Sequence, residues 1–342
     1  MVAVQEGKVL VTGANGFIAM WVVKALLDQG YLVRGTVRSP SKAKHVREVF
    51  SCYGDKFEAV IVEDITKPGA FDEYVKDVDA IEHTASPFHA KADDPDELIV
   101  PAVQGTTRIL ESALAHGTNV KRVAITSSVA AVLQIQATPH VFTEADWNDA
   151  SIVEVREKGV QASQGGKYCA SKTLAEKAAW EFVEKNKGKL GWDLVALNPP
   201  YVFGPAIHEV DAPEVLNESL RDWFFTVFKG SKTKEQLSSM GSCWVDVRDL
   251  AEAHVLAIKK QDAGGERIIV SAGTFKWQDI VDVAHKFYPN VSPMDETYDP
   301  KTATHIIQYN TEKAAQLLGI KYRSMEEDTK DIVEDFKAKG WI

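Results

Sequence analysis

The chain has 342 residues, 45% hydrophobic and 26% charged, which is enough apolar content for a large core or two lobes without covalent staples. A formal net charge of −10 argues against a nucleic-acid or anionic-membrane surface, which needs a concentrated basic patch, and favours small-molecule partners. The scattered, odd-numbered Cys52, Cys169 and Cys243 suggest reduced thiols, and no leader-like N-terminus or apolar run of about 20 residues is seen, so a cytoplasmic protein is expected, with monomer and homodimer both open.

The first two-thirds of the chain alternates short apolar runs with amphipathic stretches. Val9–Val11, Leu32-Val33, Ala59–Val62, Ala80-Ile81, Val123–Ile125 and Leu194–Leu197 read as buried parallel strands. Helices are expected over Phe17–Gln29, Pro101–His116 and Ser163–Lys187. This order predicts an α/β fold, a doubly wound (Rossmann) parallel sheet. From about residue 205 the pattern loosens, with Pro205, Pro213, Gly230 and Gly241 around an aromatic patch at Trp223–Phe225. Arg267–Val270 is expected to return to the main sheet, and Trp277–Ile342 to be mostly helical. The predicted division is an NADP-binding unit over residues 1–204 with about 242–270, and a smaller, discontinuous C-terminal substrate lobe over about 205–241 and 271–342.

Immediately after the first strand comes Thr12-Gly13-Ala14-Asn15-Gly16-Phe17-Ile18-Ala19. Gly13 permits a tight turn, Gly16 lets the backbone approach a pyrophosphate, and Ala19 lets helix and strand pack closely, while the helix N-terminus supplies amide donors. A plain glycine turn is the bland alternative, and strand before with helix after favours a dinucleotide site. No Asp or Glu lies between Asp28 and Glu48 to bind a ribose 2′-hydroxyl, whereas Arg38 and Lys42 can hold a 2′-phosphate. The expected cofactor is therefore NADP(H). Asp64-Ile65, after the third strand, is a candidate adenine contact.

Tyr168 and Lys172 stand four apart, on one face of the predicted helix. Tyr309 and Lys313 repeat the spacing, but they lie far from any Ser-bearing strand end and read as a surface helix start. Thr126-Ser127-Ser128 ends the fifth strand and brings a hydroxyl to the carboxyl edge of the sheet, where open α/β sheets bind ligands. In such a site Tyr168 gives its proton to a carbonyl oxygen as hydride arrives at carbon. Lys172 is expected to lower the phenol below its usual value of about 10 and to hold the nicotinamide ribose. A Ser hydroxyl would stabilise the developing charge, and spacing alone does not choose between Ser127 and Ser128. His83 and His89 lack companion ligands, so no metal is expected.

Taken together, Gly13–Ala19, His83–Phe88, Thr126–Ser128, Tyr168-x-x-x-Lys172 with Ala175–Phe182, Asn198–Pro205 and Val245–Asp249 resemble the extended short-chain dehydrogenases/reductases. The chain looks most similar to yeast NADPH-dependent methylglyoxal/3-methylbutanal reductases and fungal carbonyl (aldehyde) reductases, with plant dihydroflavonol reductases more distant. The resemblance implies that Ser128, Tyr168 and Lys172 are catalytic. It implies cofactor contacts from Gly13, Asn15, Gly16, Phe17, Ile18, Arg38, Lys42, Asp64, Ile65, Thr84, Tyr168, Lys172, Pro199, Val202 and Ser219. Gln104 and Val129 depart from the yeast pattern of Asn and Tyr. Phe88, Val129, Leu133 and Tyr201 are expected to line an apolar substrate pocket. The implied activity is NADPH-dependent reduction of aldehydes, ketones or ketoesters to alcohols. The alternatives are a nucleotide-sugar epimerase/dehydratase of the same superfamily and a non-enzymatic NADP-sensing regulator.

Overall fold

Residues 3–86, 92–292 and 294–342 are described by the structure, a computed structural model. The strands in chain order are β1 (Lys8–Thr12), β2 (Leu32–Val37), β3 (Phe57–Ile61), β4 (Ala80–His83), β5 (Arg122–Thr126), β6 (His140–Phe142), β7 (Asp193–Asn198), β8 (Tyr201–Phe203), β9 (Gly241–Asp246), β10 (Arg267–Ile269), β11 (Gly273–Lys276) and β12 (Ile307–Tyr309). The helices are α1 (Phe17–Asp28), α2 (Pro40–Val49), α3 (Asp96–His116), α4 (Asp149–Lys158), α5 (Gln164–Lys185), α6 (Glu218–Lys229), α7 (Lys234–Ser239), α8 (Val247–Lys259), α9 (Trp277–His285), α10 (Glu312–Leu317) and α11 (Met325–Ala338).

Seven strands form a parallel sheet in the order β10-β7-β5-β4-β1-β2-β3. Successive side chains of a strand point to opposite faces, and here both faces are covered. Val9 and Val11 join the cluster that includes α1 and α8, whereas Leu10 between them joins the cluster built with α3 and α5. Val195 and Leu197 alternate in the same way with Leu194 and Ala196. That is why these strands read as continuous apolar runs. The order reverses at β1, between β2 and β4, which is where a doubly wound sheet opens a crevice at its carboxyl edge.

Asn198 ends β7 and Pro199-Pro200 follows it. Proline supplies no ladder donor, so the chain leaves the large sheet and β8 pairs instead with β9, which pairs with β11 in a separate three-stranded sheet. The Val245–Asp249 motif is the junction of β9 and α8. Buried Asp246 caps α8 by accepting from the Arg248 amide at 2.7 Å and also pairs with the Arg248 guanidinium. Trp223 and Phe224 of the aromatic patch are core: both are fully buried in α6, with Phe336 of α11 packed on them.

Three expectations need correction. Trp277–Ile342, expected to be mostly helical, holds α9, α10 and α11 over less than half of its length, with β12 between α9 and α10. The helix expected from Pro101 begins at Asp96 and carries Pro101 inside it; Asp96 and Glu97 in its first turn suit the positive end of the helix dipole. Tyr309 and Lys313 are not a helix start on the surface. Tyr309 ends β12, paired with β6, and its hydroxyl is buried, while Lys313 sits in α10 and pairs with Glu266 at 2.7 Å. The two residues occupy different elements, so the one-face geometry of a helical pair does not apply to them.

Candidate active site

β1 ends at Thr12 and α1 begins at Phe17, so Gly13, Ala14, Asn15 and Gly16 make the whole turn. Gly13 has φ +66°, and a Cβ there would stand 3.0 Å from the Ala85 Cα. A left-handed and crowded position of this kind calls for glycine. The turn is tied to β2, because the Ala14 amide donates to the Thr36 carbonyl at 2.8 Å and the Gly13 amide to the Thr36 hydroxyl at 3.2 Å. Gly16 is the N-cap of α1 and brings no side chain to cap it, which leaves first-turn amides for an anion. Beside the turn, the Thr84 hydroxyl donates to the Thr12 carbonyl, and the Thr12 hydroxyl lies 2.9 Å from His83 Nδ1.

Arg38 follows β2, is exposed, and makes no ion pair among the described residues. Lys42, in the first turn of α2, pairs with Glu209 at 2.8 Å. Asp64 Oδ1 accepts from the Thr66 hydroxyl at 2.6 Å and its amide at 2.9 Å, and these bonds hold its carboxyl below the usual range. Ile65 packs against Gly105 of α3, where a Cβ would come within 2.7 Å of Ile65 Cδ1. Gln104, the neighbouring departure, contributes its carbonyl to the Thr107 hydroxyl at 3.2 Å.

Tyr168 and Lys172 lie one turn apart on α5, as the spacing predicts. Ser128 caps the short helical turn after β5, its hydroxyl accepting from the Ala130 amide at 3.1 Å, and it hydrogen-bonds the Tyr168 phenol. Ser127 points elsewhere: it is buried and donates to Glu176 Oε2 at 2.5 Å. The same Oε2 accepts from Asn198 Nδ2 at 2.8 Å, and Oε1 accepts from Arg267 Nε at 2.5 Å. Asn198 Nδ2 also donates to the Ser128 carbonyl at 3.1 Å, and Val129 N donates to the Pro199 carbonyl at 3.0 Å. The Ser-bearing turn is therefore held from β7 and α5 together.

Burial sets the protonation states. It pushes the Tyr168 phenol up to about 12, against a downward pull from the Ser128 hydrogen bond. The expected lowering of Tyr168 below its usual value is thus not the state of this site, because desolvation of the phenolate outweighs the Ser128 hydrogen bond. Desolvation brings the Lys172 ammonium down to about 8, with Glu176 acting in the other direction. His83, buried near Lys172, is pushed down to about 3 by burial first and the Lys172 charge second, and stays neutral.

Ser128 and Tyr168 open onto a cavity of about 420 Å³ whose wall includes Val129, Leu133, Tyr201 and Ser219. Three expected pocket residues and one expected cofactor contact thus converge there. Phe88, the remaining expected pocket residue, lies outside the described residues, as does His89. The wall also holds Leu98, Gln164, Glu218 and Ser242, which sequence reasoning missed. Gln164 stands one helical turn before Tyr168 and could have been found by that spacing; it bonds the Ala92 backbone in both directions, at 3.1 and 2.9 Å. Buried Lys167 donates to the Ala92, Asp93 and Val160 carbonyls at 2.8 to 3.0 Å, fixing the start of α5. Ser242 comes from β9 and had no local signal. Cys169 also lines the cavity, and burial pushes its thiol up to about 11. Among the described residues no group of three or more His, Cys, Asp or Glu could hold a metal ion.

A doubly wound parallel sheet with a glycine turn at its first strand and a Ser, Tyr and Lys cluster at its carboxyl edge defines a Rossmann-type nucleotide-binding protein of the short-chain dehydrogenase kind. The chain belongs to the NAD dependent epimerase/dehydratase family, whose model matches residues 9–273. It is 41% identical over 331 residues to a putative uncharacterized oxidoreductase of Schizosaccharomyces pombe, covering 93% of this chain and 94% of that protein. It is 36% identical over 348 residues to the NADPH-dependent methylglyoxal reductase GRE2 of Saccharomyces cerevisiae, covering 98% and 99%. The crystal structure of yeast methylglyoxal/isovaleraldehyde reductase Gre2 complexed with NADPH superposes with a TM-score of 0.85 at 34% identity, covering 98% of this chain and 100% of that one. The likeness to yeast methylglyoxal reductases expected from the motifs is thus found in both sequence and structure.

Proposed function

We propose that the protein reduces aldehydes and ketones to alcohols with NADPH. The observation that carries the reading is the Ser128–Tyr168 hydrogen bond with Lys172 one turn along α5, at the edge of a cavity of about 420 Å³. The chain's own residues fit the dinucleotide. The crowded turn at Gly13 and the uncapped start of α1 suit the pyrophosphate, and Arg38, with no ion pair among the described residues, suits a 2′-phosphate together with Lys42. Asn15, Phe17, Ile18, Thr84, Asp64, Ile65, Pro199, Val202 and Ser219 complete the proposed cradle. When bound, the cofactor supplies the hydride.

The rest is the work of the side chains. Ser128 positions the substrate oxygen by hydrogen bonding, and the protonated Tyr168 delivers its proton there as negative charge develops. A phenol held near 12 is fully protonated at neutral pH, so the donor is always loaded. Lys172 offsets the phenolate that remains and holds the ribose. Val129, Leu133 and Tyr201 give the substrate a largely apolar wall, which favours branched or aryl carbonyls over sugars. The chain is read as a cofactor-binding unit over 1–204 with about 242–270 and a substrate lobe from the remainder, acting in the cytoplasm as a monomer or homodimer.

The test follows NADPH and NADH oxidation over methylglyoxal, branched aldehydes, aryl ketones and ketoesters. NADPH-preferring turnover that falls about 10²-fold or more in Tyr168→Phe is expected. Equal rates in wild type and that variant would remove the reading, and NAD retained through purification would favour the epimerase alternative.

A further inference from the structure

Glu176 lies one turn beyond Lys172 on α5 and has almost no exposed surface. A buried carboxylate is costly unless it is paired and hydrogen-bonded. This one is engaged by Ser127, Asn198 and Arg267 at 2.5 to 2.8 Å, and Trp180 Nε1 adds a longer bond at 3.3 Å. Arg267 is itself held in place, stacked 3.6 Å over the Trp147 ring and donating to the Glu144 and Asp146 carbonyls. The partners come from the residue that follows β5 and from β7 and β10, so Glu176 ties the carboxyl end of the main sheet to the helix that carries Tyr168 and Lys172.

Two of those partners lead straight to the site. Ser127 is the chain neighbour of Ser128, and Asn198 shares its amide between Glu176 and the Ser128 carbonyl. A hollow of about 20 Å³ between α5 and the sheet is bordered by His83, Thr126, Ser127, Lys172 and Glu176. Lys172 makes no hydrogen bond or ion pair among the described residues. The titratable and charged groups around it are Tyr168 and Glu176 on α5, His83 on β4 and, behind Glu176, Arg267 on β10. The His254–Glu82 pair stands behind Thr126, 2.6 Å apart and fully buried. Within that set Glu176 is the acid that faces Lys172 along its own helix, at the spacing where side chains meet.

We propose that Glu176 is a positioning residue for carbonyl reduction: its buried carboxylate keeps Lys172 charged and braces the turn that presents Ser128. The role rests on the Ser128, Tyr168 and Lys172 reading given above. It acts in two ways, and they separate experimentally. As a counter-charge it opposes the desolvation that drives the ammonium toward its neutral form. As a brace it fixes the Ser127–Ser128 backbone through Asn198, so that the Ser128 hydroxyl stays on the phenol.

The experiment measures kcat/KM against pH for wild type, Glu176→Gln and Glu176→Asp on a carbonyl substrate for which Tyr168→Phe is inactive. In the wild type a basic limb near pH 8 should report loss of the Lys172 proton. Glu176→Gln removes the charge and keeps the size, so the limb should move down by about one pH unit or more. The plateau below the limb should fall about tenfold or more as Ser128 loses its brace. Glu176→Asp keeps the charge one methylene farther away and should show a smaller shift with part of the plateau recovered. A residue that served folding alone would lower activity equally at every pH and leave the limb in place. A folded Glu176→Gln protein with the wild-type limb overturns the proposal, as does an Asp variant shifted as far as Gln. If Glu176→Gln does not fold, the Asp variant decides: a wild-type limb there sinks the idea. Inactive Tyr168→Phe beside unshifted Glu176 variants would remove this inference and leave the reductase reading standing.

Discussion

Arg38 and Lys42 are both placed for a 2′-phosphate, yet the structure makes them unequal. Arg38 makes no ion pair among the described residues, whereas Lys42 is held by Glu209 at 2.8 Å, with the two side chains 40% and 41% exposed. Hydrogen bonds to charged groups contribute about 1.5–3 kcal/mol, so Arg38→Ala should weaken NADPH binding about 10- to 150-fold. NADH, which lacks the phosphate, should be affected less than about threefold in the same variant, a change of under about 0.7 kcal/mol. Lys42 must first leave an exposed partner worth roughly 0.2–1 kcal/mol, so Lys42→Ala should cost less than Arg38→Ala. Removing that competitor in Glu209→Gln should tighten NADPH by up to about fivefold, and the gain should fade as salt rises. Dissociation constants from cofactor fluorescence or calorimetry, for both nucleotides and at two ionic strengths, decide the matter. Equal losses for NADPH and NADH in Arg38→Ala would refute the phosphate assignment, and a looser complex in Glu209→Gln would refute the competition.

Other outcomes follow from the neighbouring geometry. Ser128→Ala should cut kcat about 10²-fold with little change in thermal midpoint. Ser127→Ala should instead lower the midpoint through its lost bond to buried Glu176, and kinetics with calorimetry on both variants separates these roles. His83 is neutral in the fold, with its ring held down to about 3, but titrates near 6.5 when unfolded. The unfolded chain then binds the extra proton, so stability should drop as pH falls from about 6.5 toward 3. His83→Asn should flatten the slope of urea stability between roughly pH 6.5 and 5, and an unchanged slope counts against this reading. Trp223, fully buried against Phe228 and Phe336, should cost about 3–5 kcal/mol as Trp223→Ala in denaturant unfolding.

The alternation of apolar runs announced the sheet because both of its faces are covered, so Val9, Leu10 and Val11 all had to be apolar. The glycine turn and the Tyr168–Lys172 spacing were equally legible, since each is a local geometry written within a few consecutive residues. Short strands such as β9 and β11 were less so. Three to six residues carry little periodic signal, and these pair only because β8 is turned out of the main sheet at Pro199-Pro200. The Pro101 boundary was misread because proline favours early helical positions, and here the helix extends five residues ahead of it.

By itself the sequence determined the strand order's rhythm, the dinucleotide turn, the absence of an acid after β2 and the helical pair of Tyr168 and Lys172. Tertiary structure alone decided which serine meets the phenol: Ser127 and Ser128 are adjacent just beyond β5, but one hydroxyl is taken by buried Glu176 and the other, at the cap of the following turn, meets Tyr168. It also decided the protonation of the pair and set Tyr309 apart from Lys313, because desolvation and element boundaries depend on what the rest of the chain packs around a residue.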